Sequence, residues 1–150
     1  QETGAPAPQP AKFVIDAKPH RVTSFEDMRE IVASGRSQIA DARSAARFEA
    51  AEPEPRAGMR AGHMPGAKSL PSSSFAKNGR FKSPEELRAL FDEAGIDLSK
   101  PVVTTCGSGV TAAIITLALE TLDHADNTLY DGSWSEWGSR DDTPVATGKA

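Results

Sequence analysis

The sequence predicts an α/β domain with a mostly parallel central sheet covered by helices on both faces, a three-layer α/β/α arrangement. Three observations carry this. Short apolar runs of strand length alternate with segments of helical periodicity, two of those segments open on capping signals, and a single cysteine joins one run to an apolar helical stretch through a glycine-containing turn. At 150 residues the chain has the size of one domain with a real core.

Taken in order, Gly4 to Pro10 holds Pro6, Pro8 and Pro10 among small residues, a composition that favours extended chain. Residues 1–20 are expected to be a linker or disordered segment, 21–145 the folded domain and 146–150 a tail. Thr23 with Glu26 reads as a capping box, with Phe25, Met28, Ile31 and Val32 behind it and Gly35 as the stop, so a helix over Ser24 to Ser34 is expected. Ser83 with Glu86 repeats the signature with Pro84 at the first helical position, and Leu87, Leu90 and Phe91 form the apolar face up to Gly95. Strands are expected at Gln38 to Ala42, Ala67 to Leu70, Val102 to Thr105 and Thr128 to Tyr130. Val110 to Leu122 is apolar on nearly every side, which predicts a helix buried within the domain.

Composition narrows the function. A net charge of -4 with 25% charged residues gives no bias toward polyanions, so nucleic acid is not an expected partner. The longest apolar stretch, Val110 to Leu119, is too short to cross a bilayer, which takes about 20 residues. One cysteine excludes an internal disulfide and a multi-cysteine metal site, leaving Cys106 as either a packed apolar residue or a reactive thiol. One free thiol and no recognisable targeting signal make a reducing compartment, the cytoplasm, the default expectation. Gln1 at the start reads as a fragment or processed product.

The chemistry is expected in the string Cys106, Gly107, Ser108, Gly109, Val110, Thr111. It follows a strand and precedes a helix, at the carboxyl end of a parallel sheet where ligands bind. Two glycines permit a backbone curl whose N–H groups point inward, and the following helix adds the positive end of its dipole. Such a cradle favours a thiolate over a thiol, and Ser108 and Thr111 can add hydroxyl donors.

This string resembles the active-site loop of the rhodanese superfamily, in the form carried by its 3-mercaptopyruvate-using branch. Other stretches agree with it. Asp41-Ala42-Arg43 with Arg47-Phe48, Pro53-Glu54-Pro55-Arg56, Gly62-His63-Met64-Pro65-Gly66-Ala67 and Asp131 to Trp137 match the family's order over roughly residues 36 to 140. Glu49 to Glu52 departs from it, replacing a stretch in which the family pattern has a glycine.

The resemblance implies a rhodanese-like fold and a sulfurtransferase in which Cys106 takes sulfur from 3-mercaptopyruvate as a persulfide. It passes that sulfur to a thiol such as thioredoxin, or to cyanide, without a cofactor or metal; hydrogen sulfide chemistry follows from thiol acceptors. Cys106 is then the nucleophile, Ser108 the loop residue of a proton relay, and Arg47 and Arg56 the clamp for the substrate carboxylate, since guanidinium meets carboxylate in a two-pronged geometry. Without the resemblance, the two arginines read as surface ion pairs with Glu52 or Glu54. Glu54 is expected to brace the loop by accepting its N–H groups, Arg43 and Asp41 to be structural, His63 to satisfy backbone groups in a turn, and Trp134 and Trp137 to be core.

The resemblance also implies a preceding rhodanese domain, absent from this chain, that contributes an Asp and a His to the relay and covers an apolar patch beside Cys106. Two alternatives stay open. A thiosulfate sulfurtransferase would use the same nucleophile, although the thiosulfate branch carries basic side chains where Gly107 and Ser108 stand here; a non-catalytic rhodanese module would carry persulfide or merely pack against a partner. Phosphatase chemistry on this fold needs an arginine six residues after the cysteine, and that position is Ala112.

Overall fold

The computed structural model describes residues 11–149. The expected linker from Gly4 to Pro10 lies outside them. Twelve labelled elements follow in order: β1 Val22–Thr23, α1 Phe25–Ser34, β2 Gln38–Asp41, α2 Ala45–Phe48, β3 Ala67–Ser69, β4 Ala76–Lys77, β5 Arg80–Phe81, α3 Pro84–Glu93, β6 Val102–Thr105, α4 Ala112–Thr121, β7 Asn127–Tyr130 and α5 Ser133–Trp137. The central sheet runs β1-β7-β6-β2-β3 with every pairing parallel, and β4 and β5 form a separate small hairpin.

Strand alternation builds two cores from one sheet. Ala40 and Val102 point to one face, where Leu87 and Phe91 of α3 and Ala112, Ile115, Ala118 and Leu119 of α4 close over them. Their neighbours Ile39 and Val103 point to the other, beneath Met28 and Ile31 of α1, Phe48 of α2 and Trp134 and Trp137 of α5. Three layers result, as the sequence predicts.

Most expected elements stand within a residue or two of their expected bounds, and the departures have physical causes. The α1 cap is Ser24, not Thr23: Ser24 accepts from the Asp27 N–H at 3.1 Å, while Thr23 belongs to β1 and turns its hydroxyl to Thr128 Oγ1 at 2.6 Å. The Ser83 capping box forms in full. Helix α4 begins two residues later than expected and is not buried all round. Leu117 is 56% exposed, and so is the preceding Val110 at 75%, because the sheet covers one face of α4 and no described residue covers the other.

Near and beyond residue 145, the expected domain end, the chain is bonded to the rest of the molecule at three points. Ala146 bridges His63 through two 2.9 Å backbone bonds, the Gly148 N–H reaches Glu49 O at 3.0 Å, and Pro144 O accepts the indole N–H of Trp137 at 2.9 Å. The departure at Glu49 to Glu52 is also resolved. Within that stretch Ala50 holds the left-handed conformation, φ 66°, which glycine adopts more readily than an L-residue, and the chain turns there without a glycine.

Candidate active site

The loops leaving β2, β6 and β7 meet at the carboxyl edge of the sheet, and Cys106 lies at their centre, 2% exposed. Its own backbone is committed to the scaffold. Cys106 N–H donates to Ser133 Oγ at 3.1 Å, its carbonyl accepts the Trp134 N–H at 2.9 Å, and the Gly107 carbonyl accepts both the N–H and the hydroxyl of Ser135 at 2.9 and 2.6 Å. Ser133 adopts φ 51° to make this contact and donates its hydroxyl to Tyr130 O at 2.9 Å.

With the main chain pinned, the loop curls over the sulfur. Burial by itself pushes the Cys106 thiol up, but the Thr111 hydroxyl and the backbone N–H groups of Ser108, Ala112 and Thr111 outweigh it, and the net direction is down from the ordinary thiol value. These loop groups face the sulfur, with one difference from expectation: Thr111 gives the hydroxyl, whereas Ser108 gives its N–H and sits exposed at the mouth. The curl depends on Gly109, which has φ 81° and whose missing Cβ would fall 2.7 Å from Asp131 Oδ1. Val110 is part of the same turn and points outward.

Beside the sulfur is a cavity of about 200 Å³ lined by Arg47, Arg56, Met59, Ser108 and Ser135 among others. Both sequence-predicted arginines thus reach the same space as Cys106. Arg47 comes from the last turn of α2, and a Cβ on Gly107 would meet its Nη2 at 3.0 Å. Arg56 comes from the loop beyond, exposed, and donates to Ser135 Oγ at 2.8 Å. Among the lining residues the charge is all positive, which suits a carboxylate.

Glu54 departs from expectation. Rather than accepting loop N–H groups, its carboxylate, wholly out of solvent, accepts from Arg43 Nη1 at 2.7 Å and from Arg47 Nη2. The reason is electrostatic, since a buried carboxylate is stabilised more by two guanidinium groups than by neutral amides, and the amides already face the sulfur. Arg43 is structural as expected: Asp41 holds its Nε and Nη2, Gly62 O accepts from Nη2 at 2.8 Å, and the guanidinium stacks 4.4 Å from the Trp134 ring.

His63 is structural too, with Nδ1 2.8 Å from Phe48 O and its ring stacked on Phe48 at 3.7 Å. Trp134 and Trp137 are fully buried core. Ser133 and Ser135 were not singled out from the sequence. They lie within the Asp131 to Trp137 stretch, but a serine there carries no signal of its own until α5 turns it toward the loop. Among the described residues no cluster of three His, Cys, Asp or Glu side chains is placed to hold a metal.

Residues 24–140 match the model of the rhodanese-like domain, and the chain belongs to that family. Its relatives include both 3-mercaptopyruvate sulfurtransferases and, at 40% identity over 147 residues, the thiosulfate sulfurtransferase of Rattus norvegicus, covering 95% of this chain and 50% of that protein. The chain is 44% identical over 144 residues to the 3-mercaptopyruvate sulfurtransferase of Escherichia coli (strain K12), covering 96% of this chain and 51% of that protein. Against 3-mercaptopyruvate sulfurtransferase of Homo sapiens it is 45% identical over 139 residues, 92% of this chain and 47% of that protein. The crystal structure of SseA from Escherichia coli, described as showing the rhodanese fold and catalytic mechanism of 3-mercaptopyruvate sulfotransferases, superposes with a TM-score of 0.74 at 41% identity, covering 90% of this chain and 50% of that one. The chain thus spans about half the length of the curated relatives it matches.

Proposed function

We propose that this domain transfers sulfur from 3-mercaptopyruvate to a thiol acceptor through a persulfide on Cys106. The observation that carries the reading is one cavity holding a thiol shifted toward its anion and two arginines. The Cys106 thiolate attacks the substrate sulfur, the carbon–sulfur bond breaks, and its electron pair leaves on the pyruvate enolate, which takes a proton to become pyruvate. Arg47 and Arg56 hold the carboxylate so that the sulfur faces Cys106. The terminal persulfide sulfur then carries the negative charge, and the Ser108, Thr111 and Ala112 N–H groups that favoured the thiolate stabilise it. An acceptor thiolate, thioredoxin-like in chemistry, takes that sulfur and restores the Cys106 thiolate; a second thiol on the acceptor then releases hydrogen sulfide as a disulfide closes.

The other half of the longer relatives enters the same proposal. Val110 and Leu117 stand exposed on the side of the loop and α4 that nothing described covers, and Ser108 opens on the cavity mouth with its hydroxyl unused by the sulfur. A preceding rhodanese domain seated there buries the apolar patch and brings an Asp and a His to Ser108, completing a proton relay for the leaving enolate.

Mass spectrometry of this chain after incubation with 3-mercaptopyruvate, with thiosulfate in parallel, tests the reading. One added sulfur at Cys106 from 3-mercaptopyruvate is the expected result. Uptake from thiosulfate alone would replace it with the thiosulfate reading, and uptake from neither would leave a packing module. Turnover should be about a hundredfold below that of a tandem enzyme and rise when the first domain is added separately; full activity without it would remove the relay.

A further inference from the structure

Glu54 lies beneath the cavity rather than in it, and its two partners are not equivalent. Arg43 is already answered by Asp41, which accepts from Nε at 3.0 Å and from Nη2 at 2.7 Å, with both side chains essentially out of solvent. Those two charges cancel each other. The carboxylate of Glu54 therefore falls to Arg47, the guanidinium packed against Gly107 and the sulfur loop. Summing the groups that face the substrate, Arg47 and Arg56 give two positive charges and Glu54 removes one. That leaves one net positive charge to answer the donor, counted apart from the Cys106 thiolate that attacks it.

We infer that Glu54 is a positioning and specificity-determining residue: it anchors Arg47 against Gly107 and cuts the cavity's charge to what a singly charged sulfur donor matches, so that a dianionic donor is disfavoured. The inference rests on the sulfur-donor reading above. Its physical basis is that a second negative charge within a few ångströms, in a site partly shielded from water, is weakly screened and must be answered locally. Among the described residues Glu54 is the carboxylate that the Arg47 guanidinium meets, and Arg47 Nε is enclosed without a hydrogen-bond partner.

Glu54→Gln is the direct test, because it keeps the shape and one acceptor oxygen while removing the charge. The readout is the second-order rate constant for persulfide formation at Cys106, measured by quenched mass spectrometry with 3-mercaptopyruvate and with thiosulfate at equal ionic strength. The ratio of thiosulfate to 3-mercaptopyruvate rate constants should rise about tenfold. A merely structural role for Glu54 would lower both rates together and leave their ratio unmoved, and that result would overturn the inference.

Repeating the substitution in an Arg47→Ala background should change the ratio no further, since the effect passes through Arg47; an undiminished rise there would overturn the route. Should Glu54→Gln fail to fold, the unmodified chain still answers. Pyruvate should protect Cys106 from alkylation at a concentration about tenfold or more below that at which sulfate does, and equal protection would refute the charge match. Absence of sulfur uptake from both donors in the unmodified chain would instead sink the sulfurtransferase reading itself.

Discussion

The Trp134 amide N–H donates to the carbonyl oxygen of Cys106 at 2.9 Å, so the backbone of the nucleophile is fastened by a residue whose indole is fully buried in the opposite core. The sulfur takes no part in that fastening. Cys106→Ser should therefore leave thermal unfolding essentially unchanged, because the serine hydroxyl fits the same N–H cradle. It should abolish persulfide formation, because a serine alkoxide is inaccessible at neutral pH. Residual sulfur uptake in the variant would move the nucleophile elsewhere.

Arg47 and Arg56 reach the cavity from different elements and are held differently, one by buried Glu54 and the other by Ser135 at the surface. Replacing either by Ala should raise KM for 3-mercaptopyruvate about tenfold with a smaller effect on kcat. Lysine should restore little, since it lacks the planar fork. Steady-state kinetics that matched the parent in both alanine variants would return the two side chains to the solvated surface.

Thr111 supplies the hydroxyl among the groups that lower the Cys106 thiol. A group with a depressed value is anionic above it, so removing a donor raises the value and shrinks the thiolate fraction at any pH where the thiol is still titrating. Thr111→Val should move the pH profile of Cys106 alkylation by iodoacetamide to higher pH and slow the reaction several-fold on its rising limb, while the high-pH plateau stays the same. A profile that did not move would mean the backbone N–H groups alone set the thiolate.

Ala50 carries a φ of 66°, a conformation that costs an L-residue about 1–2 kcal/mol and glycine almost nothing. Ala50→Gly gives back part of that gain through the freer unfolded chain. The net expectation is a stabilisation of about 0.5–1 kcal/mol, read as a higher denaturant midpoint with an unchanged slope. A lower midpoint would show that the strain at Ala50 is relieved elsewhere in the turn.

Strands built of β-branched residues, such as Val102 to Thr105, and helices with complete caps, such as Pro84–Glu93, were legible because local pattern and tertiary position agree there. Strand β1 was not. It is two residues long, and its existence depends on β7 offering a parallel edge to Val22 and Thr23. That same pairing took Thr23 out of the cap and handed the role to Ser24. In the site, Cys106 and the glycine turn were legible as a string, and the two arginines only through resemblance. The choice of partner by Glu54 was not legible at all, since a carboxylate two residues before Arg56 gives no sign of whether it will face amides or guanidinium groups. Ser133 and Ser135 entered the site only once α5 was placed against the loop.

The charged cluster around Arg43 also bears on the order in which the molecule assembles. Its members are close in sequence: Arg43 meets Asp41 two residues away, Glu54 eleven away and Gly62 nineteen away, and Arg47 meets Glu54 across seven. The nucleophile loop instead depends on Cys106 meeting Ser133 across 27 residues and on β6 docking beside β2, where Val102 pairs with Gln38. Short closures cost less chain entropy and form sooner. The carboxylate-binding side of the cavity is thus expected to reach native form as a local nucleus, before the sulfur-binding side exists. In pulse-labelled hydrogen exchange during refolding, the Phe48 N–H, bonded to Ser44 O at 3.0 Å, should become protected earlier than the Trp134 N–H, and the reverse order would place the nucleus in the β6–β7 half of the sheet.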